Sequence, residues 1–222
     1  MAHTTNLDDR LFRAAALFPA CAYGADIGAD HGRLSCFLLE TGKCQRMCVA
    51  DISAPSLAKA RALIAERGLG ERADFCVGDG LSVLPRSAQA IAILGMGGRT
   101  VSHILLDGKD QLRGAALILS AHTEMMEVRK ALAELGYRIE KEEISRAAGR
   151  FYVLLYAAPG LEALTEKQEM LGPRLMETNP EHYRDYLAWR IRLAAVKRSE
   201  EGKKELFWLK EEYSRVCNGS ND

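Results

Sequence analysis

One short segment constrains the fold of this chain more than any other. Residues 25–32 read Ala-Asp-Ile-Gly-Ala-Asp-His-Gly; an apolar stretch from Cys21 precedes them, and an apolar run from Leu34 follows them. Glycine adopts backbone angles that bend the chain sharply and allows another chain segment to approach closely. The segment therefore predicts a strand, a tight turn and a helix, the unit with which open α/β sheets build a ligand crevice.

Short apolar runs alternate with helical patterns along the first two thirds of the chain. The predicted strands are residues 21–27, 46–51, 73–77, 90–94 and 115–120. The predicted helices are an N-terminal one capped by Asp8 or Asn6, then 34–40, 56–67, 100–106 and 124–135. This alternation predicts an α/β fold with a parallel sheet covered on both faces. Residues 137–144 and 150–156 are β-rich with no helix between them, which predicts an antiparallel hairpin.

A break at Ala-Ala-Pro-Gly, residues 157–160, predicts a domain boundary. We expect residues 1–159 to form the α/β domain and residues 160–222 a small C-terminal helical domain. The predicted tail helices are 165–177, 180–199 with Asn179 as cap, and 203–216. The last two are amphipathic and predict an antiparallel, coiled-coil-like pair that turns near Gly202.

Composition excludes several classes of protein. The 30 basic and 30 acidic residues give no net charge, so any nucleic-acid surface must be local. The six cysteines include no Cys-x-x-Cys pair, which argues against zinc or any other metal site and for reduced thiols. Residues 1–10 lack the apolar core of a secretory signal, and no apolar run approaches the roughly 20 residues needed to cross a bilayer. We expect a cytoplasmic monomer without membrane contacts.

Acidic or glycine-rich segments follow the first four predicted strands. The first turn carries Asp26 and Asp30, the second strand ends at Asp51, Asp79 follows the third, and Gly-Met-Gly-Gly at residues 95–98 follows the fourth. Each segment alone also fits a turn or a helix cap. Because parallel strands end at one edge of the sheet, we expect all four segments to meet there and bind a ligand.

The charge of these segments favours S-adenosylmethionine over a dinucleotide. A dinucleotide site needs G-x-G-x-x-G around a pyrophosphate, whereas Gly24, Gly28 and Gly32 are spaced by four and Asp30 lies where the phosphates would bind. Carboxylates suit the ammonium and sulfonium groups of S-adenosylmethionine. Asp51 can accept hydrogen bonds from both ribose hydroxyls, and a nicotinamide-dependent enzyme is the weaker alternative.

Four motifs together resemble the bacterial tRNA (adenine-22-N1)-methyltransferase family. They are Asp-Arg-Leu at residues 9–11, the segment 25–32, Gly-Asp-Gly-Leu at 78–81 and Gly-Met-Gly-Gly at 95–98. The resemblance runs from about Leu7 to Tyr156 and continues more loosely into the tail. It implies a class I (Rossmann-like) methyltransferase domain with a seven-stranded sheet, followed by a helical domain. It also implies methylation of N1 of an adenine in the D arm of tRNA, with S-adenosylmethionine as methyl donor.

The resemblance also implies roles for single residues. The implied cofactor positions, with their sequence neighbours, are Asp26, Gly28, Asp51, Ile52, Asp79, Gly80, Gly95 and Met96. Asp30 falls on the catalytic carboxylate, and we expect His31 to orient it or the base. A purely structural alternative for Asp30 is capping of the following helix. The chain departs from the family at Ser120-Ala121-His122-Thr123, where a Gln-Pro-Asn-like segment is usual.

The residues themselves fit attack by N1 of adenine. The 95–98 turn has no side-chain acceptor to hold an exocyclic amino group, and no cysteine nucleophile lies near it. N1 has an in-plane lone pair and needs no base, but its methylation creates a cation that a carboxylate such as Asp30 can offset. The alternatives are a methyltransferase for another RNA or a small molecule, and a non-catalytic RNA-binding protein on the same fold.

Basic residues near the turn and in the tail are the candidates for gripping RNA phosphates. Arg10 is a candidate for either RNA or the methionine carboxylate of the cofactor. The interleaved Glu200, Glu201 and Glu205 leave an ordinary solvated helix face as the alternative for the tail. The predicted RNA-binding residues are Arg10, Arg33, Arg184, Arg190, Arg192, Lys197 and Arg198.

Overall fold

The computed structural model describes residues 5–147 and 149–218. Residues 1–4, 148 and 219–222 lie outside this description, and with them part of the N-terminal segment for which the sequence predicts no secretory signal. The strands are β1 (Cys21–Ile27), β2 (Cys44–Asp51), β3 (Ala73–Val77), β4 (Ala90–Met96), β5 (Ala116–Ala121), β6 (Tyr137–Ala147) and β7 (Arg150–Pro159). The helices of the first part are α1 (Asp9–Leu17), α2 (Arg33–Glu40), α3 (Ala54–Glu66), α4 (Gly98–Asp107), α5 (Lys109–Leu112) and α6 (Met125–Glu134).

The strands form one seven-stranded sheet in the order β3-β2-β1-β4-β5-β7-β6. The pairs among β1 to β5 are parallel, and β7 is antiparallel to both β5 and β6. The chain winds outward from β1 to β3 and then returns to β4 on the other side of β1. Ligands bind at such a reversal of strand order, beyond the carboxyl ends of the strands. The predicted fold class is confirmed.

Both faces of the sheet are buried, as the continuous apolar runs predicted. Within β4, Ile91 and Ile93 join the core beneath α4 and α6, whereas Ala90 and Ala92 face the core beneath α1, α2 and α3. The Asp8 side chain caps α1 by accepting a hydrogen bond from the Leu11 amide at 2.8 Å, which selects one of the two predicted caps.

The tail differs from the prediction in its helix boundaries. The predicted helix 165–177 is two helices, α7 (Glu166–Leu171) and α8 (Pro173–Thr178), because Gly172 has a φ of +102° and proline follows it. Asn179 ends α8 in the left-handed conformation and does not cap the next helix, α9 (Tyr183–Ala194). The final helix, α10 (Glu200–Asn218), already contains Gly202, so the turn comes earlier than predicted.

The tail shares its hydrophobic core with the α/β part of the chain. Leu171, Leu175, Tyr186 and Leu209 pack in the same buried cluster as β4, β5, α4 and α6. The helices therefore extend the main core, and α9 and α10 pack against each other as the predicted pair.

Candidate functional site

The first turn brings the ends of β1, β2 and β4 into contact. The Gly28 amide donates to the Ala50 carbonyl at 2.8 Å, and its φ of +73° is in the left-handed region. A Cβ at this position would lie 2.1 Å from the Met96 terminal methyl group, so only glycine fits without a shift of Met96. The bare backbone therefore leaves room for close approach between β1 and β4.

Asp26 lies beneath this turn and is 4% exposed. Its carboxylate accepts a hydrogen bond from the Ser35 hydroxyl at 2.7 Å. Burial raises the pKa of Asp26 to about 6, against the lowering effect of the Ser35 hydrogen bonds, while the Asp51 charge raises the pKa and the Arg10 charge lowers it. Asp26 is thus poised to change charge near neutrality and to be held ionised by a bound cation.

The raised pKa predicts how Asp26 affects stability. Between its ordinary pKa of 3.8 and the folded value of about 6, the folded state binds more protons than the unfolded state, so the contribution of Asp26 to the free energy of unfolding falls as pH rises. We expect Asp26→Asn to gain stability relative to the wild type as pH rises from about 4 to 7, measured by urea unfolding. Asp110→Asn, an exposed change, is the control. A pH-independent difference between Asp26→Asn and the wild type would contradict the expected titration.

Asp51, at the end of β2, connects two loops. Its two carboxylate oxygens accept hydrogen bonds from the Ser53 amide at 2.8 Å and the Asp30 amide at 2.9 Å. Each oxygen retains a second lone pair, so the carboxylate can accept two more bonds from a pair of vicinal hydroxyls. Ile52 beside it is 72% exposed and Val77, at the end of β3, is 58% exposed, which provides apolar surface for a flat ring. This arrangement fits an adenosyl group.

Asp79 and Gly80 follow β3 on the same edge of the sheet. Asp79 is exposed, and its side chain does not cap the short 3-10 helix that follows. Its carboxylate is therefore available to a ligand beside Ile52 and Val77.

Asp30 extends into solvent at the mouth of the crevice. Its side chain is 71% exposed, and its φ of +48° lies in the left-handed region, which few residue types besides Gly, Asn, Asp and His adopt. The carboxylate lies 3.6 Å from His31 Nε2, which in turn lies 3.2 Å from Lys59 Nζ. Helix α2 begins after Gly32 without a side-chain cap, so the capping alternative for Asp30 is excluded.

A second group of side chains surrounds the bare turn after β4. A Cβ on Gly95 would lie 3.6 Å from both Arg10 Nη1 and His122 Nε2. The His122 ring meets the Tyr152 ring edge-on at 5.4 Å, and the Arg10 guanidinium lies 5.7 Å from the same ring. The sequence placed Arg10 in the site and singled out the 120–123 segment that contains His122 as a departure from the family, but Tyr152 was missed. Tyr152 belongs to no motif, and only the sheet order brings β7 beside β5.

The predicted RNA-binding residues fall into two groups. Arg33 at the start of α2 is exposed, as are the tail residues Arg184, Arg192, Lys197 and Arg198. Arg190 is a correction, because its side chain is only 16% exposed, and its guanidinium pairs with Glu205 at 2.6 Å and donates to the Met170 carbonyl at 3.0 Å within the tail. Lys197 pairs with the same carboxylate, but its side chain is 51% exposed. Arg190 therefore stabilises the packing of the tail helices and is not available to phosphates.

Two further features of the chain concern side-chain clusters that could bind a metal ion and helices that could span a membrane. Among the described residues, no group of three or more His, Cys, Asp or Glu side chains is placed to hold a metal ion. Within the same part of the chain, no helix combines the length and apolar character of a membrane span.

Comparisons with known proteins identify relatives of this chain. The model of a family described as a methyltransferase domain matches residues 7–155. The tRNA (adenine(22)-N(1))-methyltransferase of Bacillus subtilis (strain 168) is 34% identical over 156 residues, which are 69% of this chain and 66% of that protein, just under two thirds of its length.

Solved structures share the fold across nearly the whole chain. The crystal structure of the B. subtilis m1A22 tRNA methyltransferase has a TM-score of 0.81 and 26% identity, with 96% of this chain and 98% of that one covered. A putative tRNA (m1A22) methyltransferase of Streptococcus pneumoniae, in complex with S-adenosyl-L-methionine, has a TM-score of 0.88 and 24% identity, with 94% and 100% covered. The resemblance stated from the sequence motifs is confirmed.

Proposed function

Because this chain belongs to the methyltransferase-domain family, we propose that it transfers a methyl group from S-adenosylmethionine to N1 of an adenine in the D arm of tRNA. The observation that carries the proposal is the set of carboxylates at the edge where β1, β2 and β3 end, beside the glycine turn after β4, which has no side-chain acceptor. The similarity to the tRNA (adenine(22)-N(1))-methyltransferase of B. subtilis supports the choice of substrate.

The residues at the sheet edge match the parts of S-adenosylmethionine. Asp51 would hold the ribose hydroxyls, Ile52 would pack on the adenine, and Asp79 with the Gly80 backbone would meet the edge of that ring. Asp26 and the backbone at Gly28, Gly95 and Met96 would hold the methionine part. When bound, S-adenosylmethionine supplies an electrophilic methyl group on a positively charged sulfur.

Asp30 is the proposed catalytic residue. N1 of adenine attacks with a lone pair that it already has, so no residue needs to remove a proton first. Asp30 accepts a hydrogen bond from the adenine amino group and offsets the positive charge that the base gains on methylation. His31, 3.6 Å away, positions the carboxylate. Arg10, His122 and Tyr152 form the wall against which the target base lies.

The target adenine must leave its stack before it can react. N1 lies on the Watson–Crick edge, and exposing a base costs a few kcal/mol. Contacts from basic residues to phosphates supply binding energy without reading sequence. We assign these contacts to Arg10 and Arg33 near the mouth and to the exposed tail residues Arg184, Arg192, Lys197 and Arg198. The proposal includes a cytoplasmic monomer without a metal, with a catalytic domain over residues 1–159 and a helical domain over 160–222.

The direct test is incubation of the full chain with unmodified tRNA and S-adenosylmethionine, followed by mass spectrometry of the digested RNA. We expect one methyl group on N1 of a D-arm adenine. A methyl group on another base, or transfer only to small molecules that tRNA does not inhibit, would contradict the proposal. Absence of heat in a calorimetric titration with S-adenosylhomocysteine would favour a non-catalytic RNA-binding protein.

The proposed ribose contact makes a separate prediction for Asp51. Asp51→Asn removes the charge that accepts the hydroxyl hydrogen bonds, and such charge-assisted bonds contribute about 1.5–3 kcal/mol. We therefore expect the Kd for S-adenosylmethionine, measured by calorimetry, to rise about 10- to 150-fold. Asp110→Asn serves again as the exposed control. An unchanged Kd in the Asp51 variant would show that the ribose binds elsewhere.

A further inference from the structure

A cavity of about 460 Å³ lies between the loop after β5, strand β7 and the α9–α10 pair. Its size falls in the range of roughly 300–1,000 Å³ that is typical of small-ligand sites. The carboxylates of the proposed cofactor site lie around the ends of β1, β2 and β3 instead. The cavity is therefore separate from the proposed cofactor site, and the tail forms one of its walls.

Three aromatic rings from two elements line this cavity. The Phe151 ring on β7 lies 5.7 Å from the Trp189 ring and 6.2 Å from the Tyr186 ring, both on α9, measured between centroids. Tyr186 is buried and packs in the core, whereas Phe151 and Trp189 are partly exposed. Partly exposed rings at a cavity wall offer a surface on which a nucleobase can stack, worth about 1–3 kcal/mol per base.

The charges on the cavity wall disfavour a phosphate and favour a neutral ring. Arg99 pairs with Glu124 at 3.0 Å, and Arg190 and Lys197 both pair with Glu205 at 2.6 Å. Glu127 and Glu201 also line the cavity, so its basic residues are matched by acidic ones. A flat, uncharged, hydrogen-bonding group fits this wall better than an anion does.

The cavity adjoins the proposed catalytic mouth. His122 and Thr123 line it, and the same side chains flank the glycine turn after β4. His122 Nε2 lies 3.6 Å from the Cβ position of Gly95, and Thr123 Oγ1 lies 3.6 Å from that of Gly97. The cavity and the glycine turn thus share His122 and Thr123 as neighbours, so adjacent nucleotides of one RNA strand can occupy the two places.

We propose that this cavity binds an unpaired nucleobase of the RNA substrate, the neighbour of the target adenine, stacked on Trp189. The proposal rests on the proposed function and adds to it a contact that selects the sequence or shape around the target. Recognition of RNA by splayed bases that stack on aromatic side chains is general. It also gives the tail a part in substrate choice, since Trp189 belongs to α9.

The test pairs a protein change with an RNA change. Two tRNA transcripts carry an abasic residue, one on the 5′ side of the target adenine and one on the 3′ side. For the wild type we expect one of them to bind about 5- to 150-fold more weakly than the intact transcript. Trp189→Ala should weaken the binding of intact tRNA by a similar factor. In this variant, the same abasic residue should cause no further loss of affinity. Trp189→Phe, which keeps a ring, should restore most of the binding.

Trp208 provides the matched control, because the chain has two tryptophans. Trp208 lies on α10 with Lys204 Nζ 4.8 Å from its ring centroid. Trp208→Phe should keep the full abasic penalty, and its remaining tryptophan, Trp189, should lose fluorescence when intact tRNA binds. A penalty that persists in Trp189→Ala, no penalty from either abasic transcript, or unquenched Trp189 would overturn the proposal. Wild-type protein that binds tRNA without methylating it would instead contradict the proposed function. Quenching of Trp189 fluorescence would still show whether a base binds in the cavity.

Discussion

Asp30→Asn is expected to lower kcat/KM for tRNA methylation by about 10²–10³-fold, the loss typical when one electrostatic contact to a developing charge is removed. The affinity for S-adenosylmethionine should be unchanged, because the Asp30 backbone amide, and not its carboxylate, bonds to Asp51. Asn is the right replacement, since it tolerates the left-handed backbone angle of this position better than alanine does. Single-turnover kinetics with tRNA and calorimetry with the methyl donor measure the two effects separately.

Asp107→Asn is the matched control for Asp30→Asn. Asp107 ends α4, is exposed, and also lies beside a histidine, His103, at 3.1 Å. Loss of that carboxylate should leave both measurements unchanged. Wild-type rates in Asp30→Asn would show that the charge of the methylated base is offset by another group, and the exposed position of Asp30 would then reflect the turn alone.

The fold was largely predictable because its signal is local. Each of the five parallel strands is a short apolar run, and both ends of the first turn are marked by glycines. The predicted antiparallel hairpin agrees with β6 and β7, which are longer than predicted by several residues. The tail boundaries were predicted less well, although Gly172-Pro173 is a local break signal. The close packing at this break, where a Cβ on Gly172 would lie 2.7 Å from Glu142 Oε2, is not visible in the sequence.

The sequence predicted those site residues that lie next to the end of a strand, and it missed those that only the tertiary fold brings together. Asp26 and Asp51 lie at the ends of β1 and β2, whereas Asp30 and Asp79 follow β1 and β3. The sequence order of the strands therefore places all four at one edge. His122 and Tyr152 come together across β5 and β7, and the insertion of β7 between β5 and β6 is a property of the whole sheet. Arg190 shows the opposite error. Its spacing matches that of exposed basic residues on α9, but Glu205 on the facing helix takes up its charge.

Arg129→Ala is expected to lower the free energy of unfolding by about 3–5 kcal/mol, the range for removal of one partner of a buried ion pair. The Arg129 and Glu142 side chains are both 0% exposed, and Arg129 Nη2 lies 2.7 Å from Glu142 Oε1. Arg129 also donates to the Glu169 carbonyl at 2.7 Å, and Glu142 accepts from the Arg174 amide at 2.9 Å. Removal of the guanidinium leaves a buried carboxylate without its counter-ion.

Arg138→Ala is the matched control, because Arg138 pairs with Glu140 at 2.8 Å on the exposed part of β6. Surface pairs contribute about 0–1 kcal/mol, so urea unfolding should separate the two variants clearly. Equal, small losses would show that water or rearranged side chains neutralise Glu142.

Removal of the tail is also expected to lower stability. Truncation after Pro159 deletes Glu169 and Arg174, which hydrogen-bond to the Arg129–Glu142 pair, and uncovers the shared core. Residues 1–159 alone should therefore have a lower free energy of unfolding than the full chain.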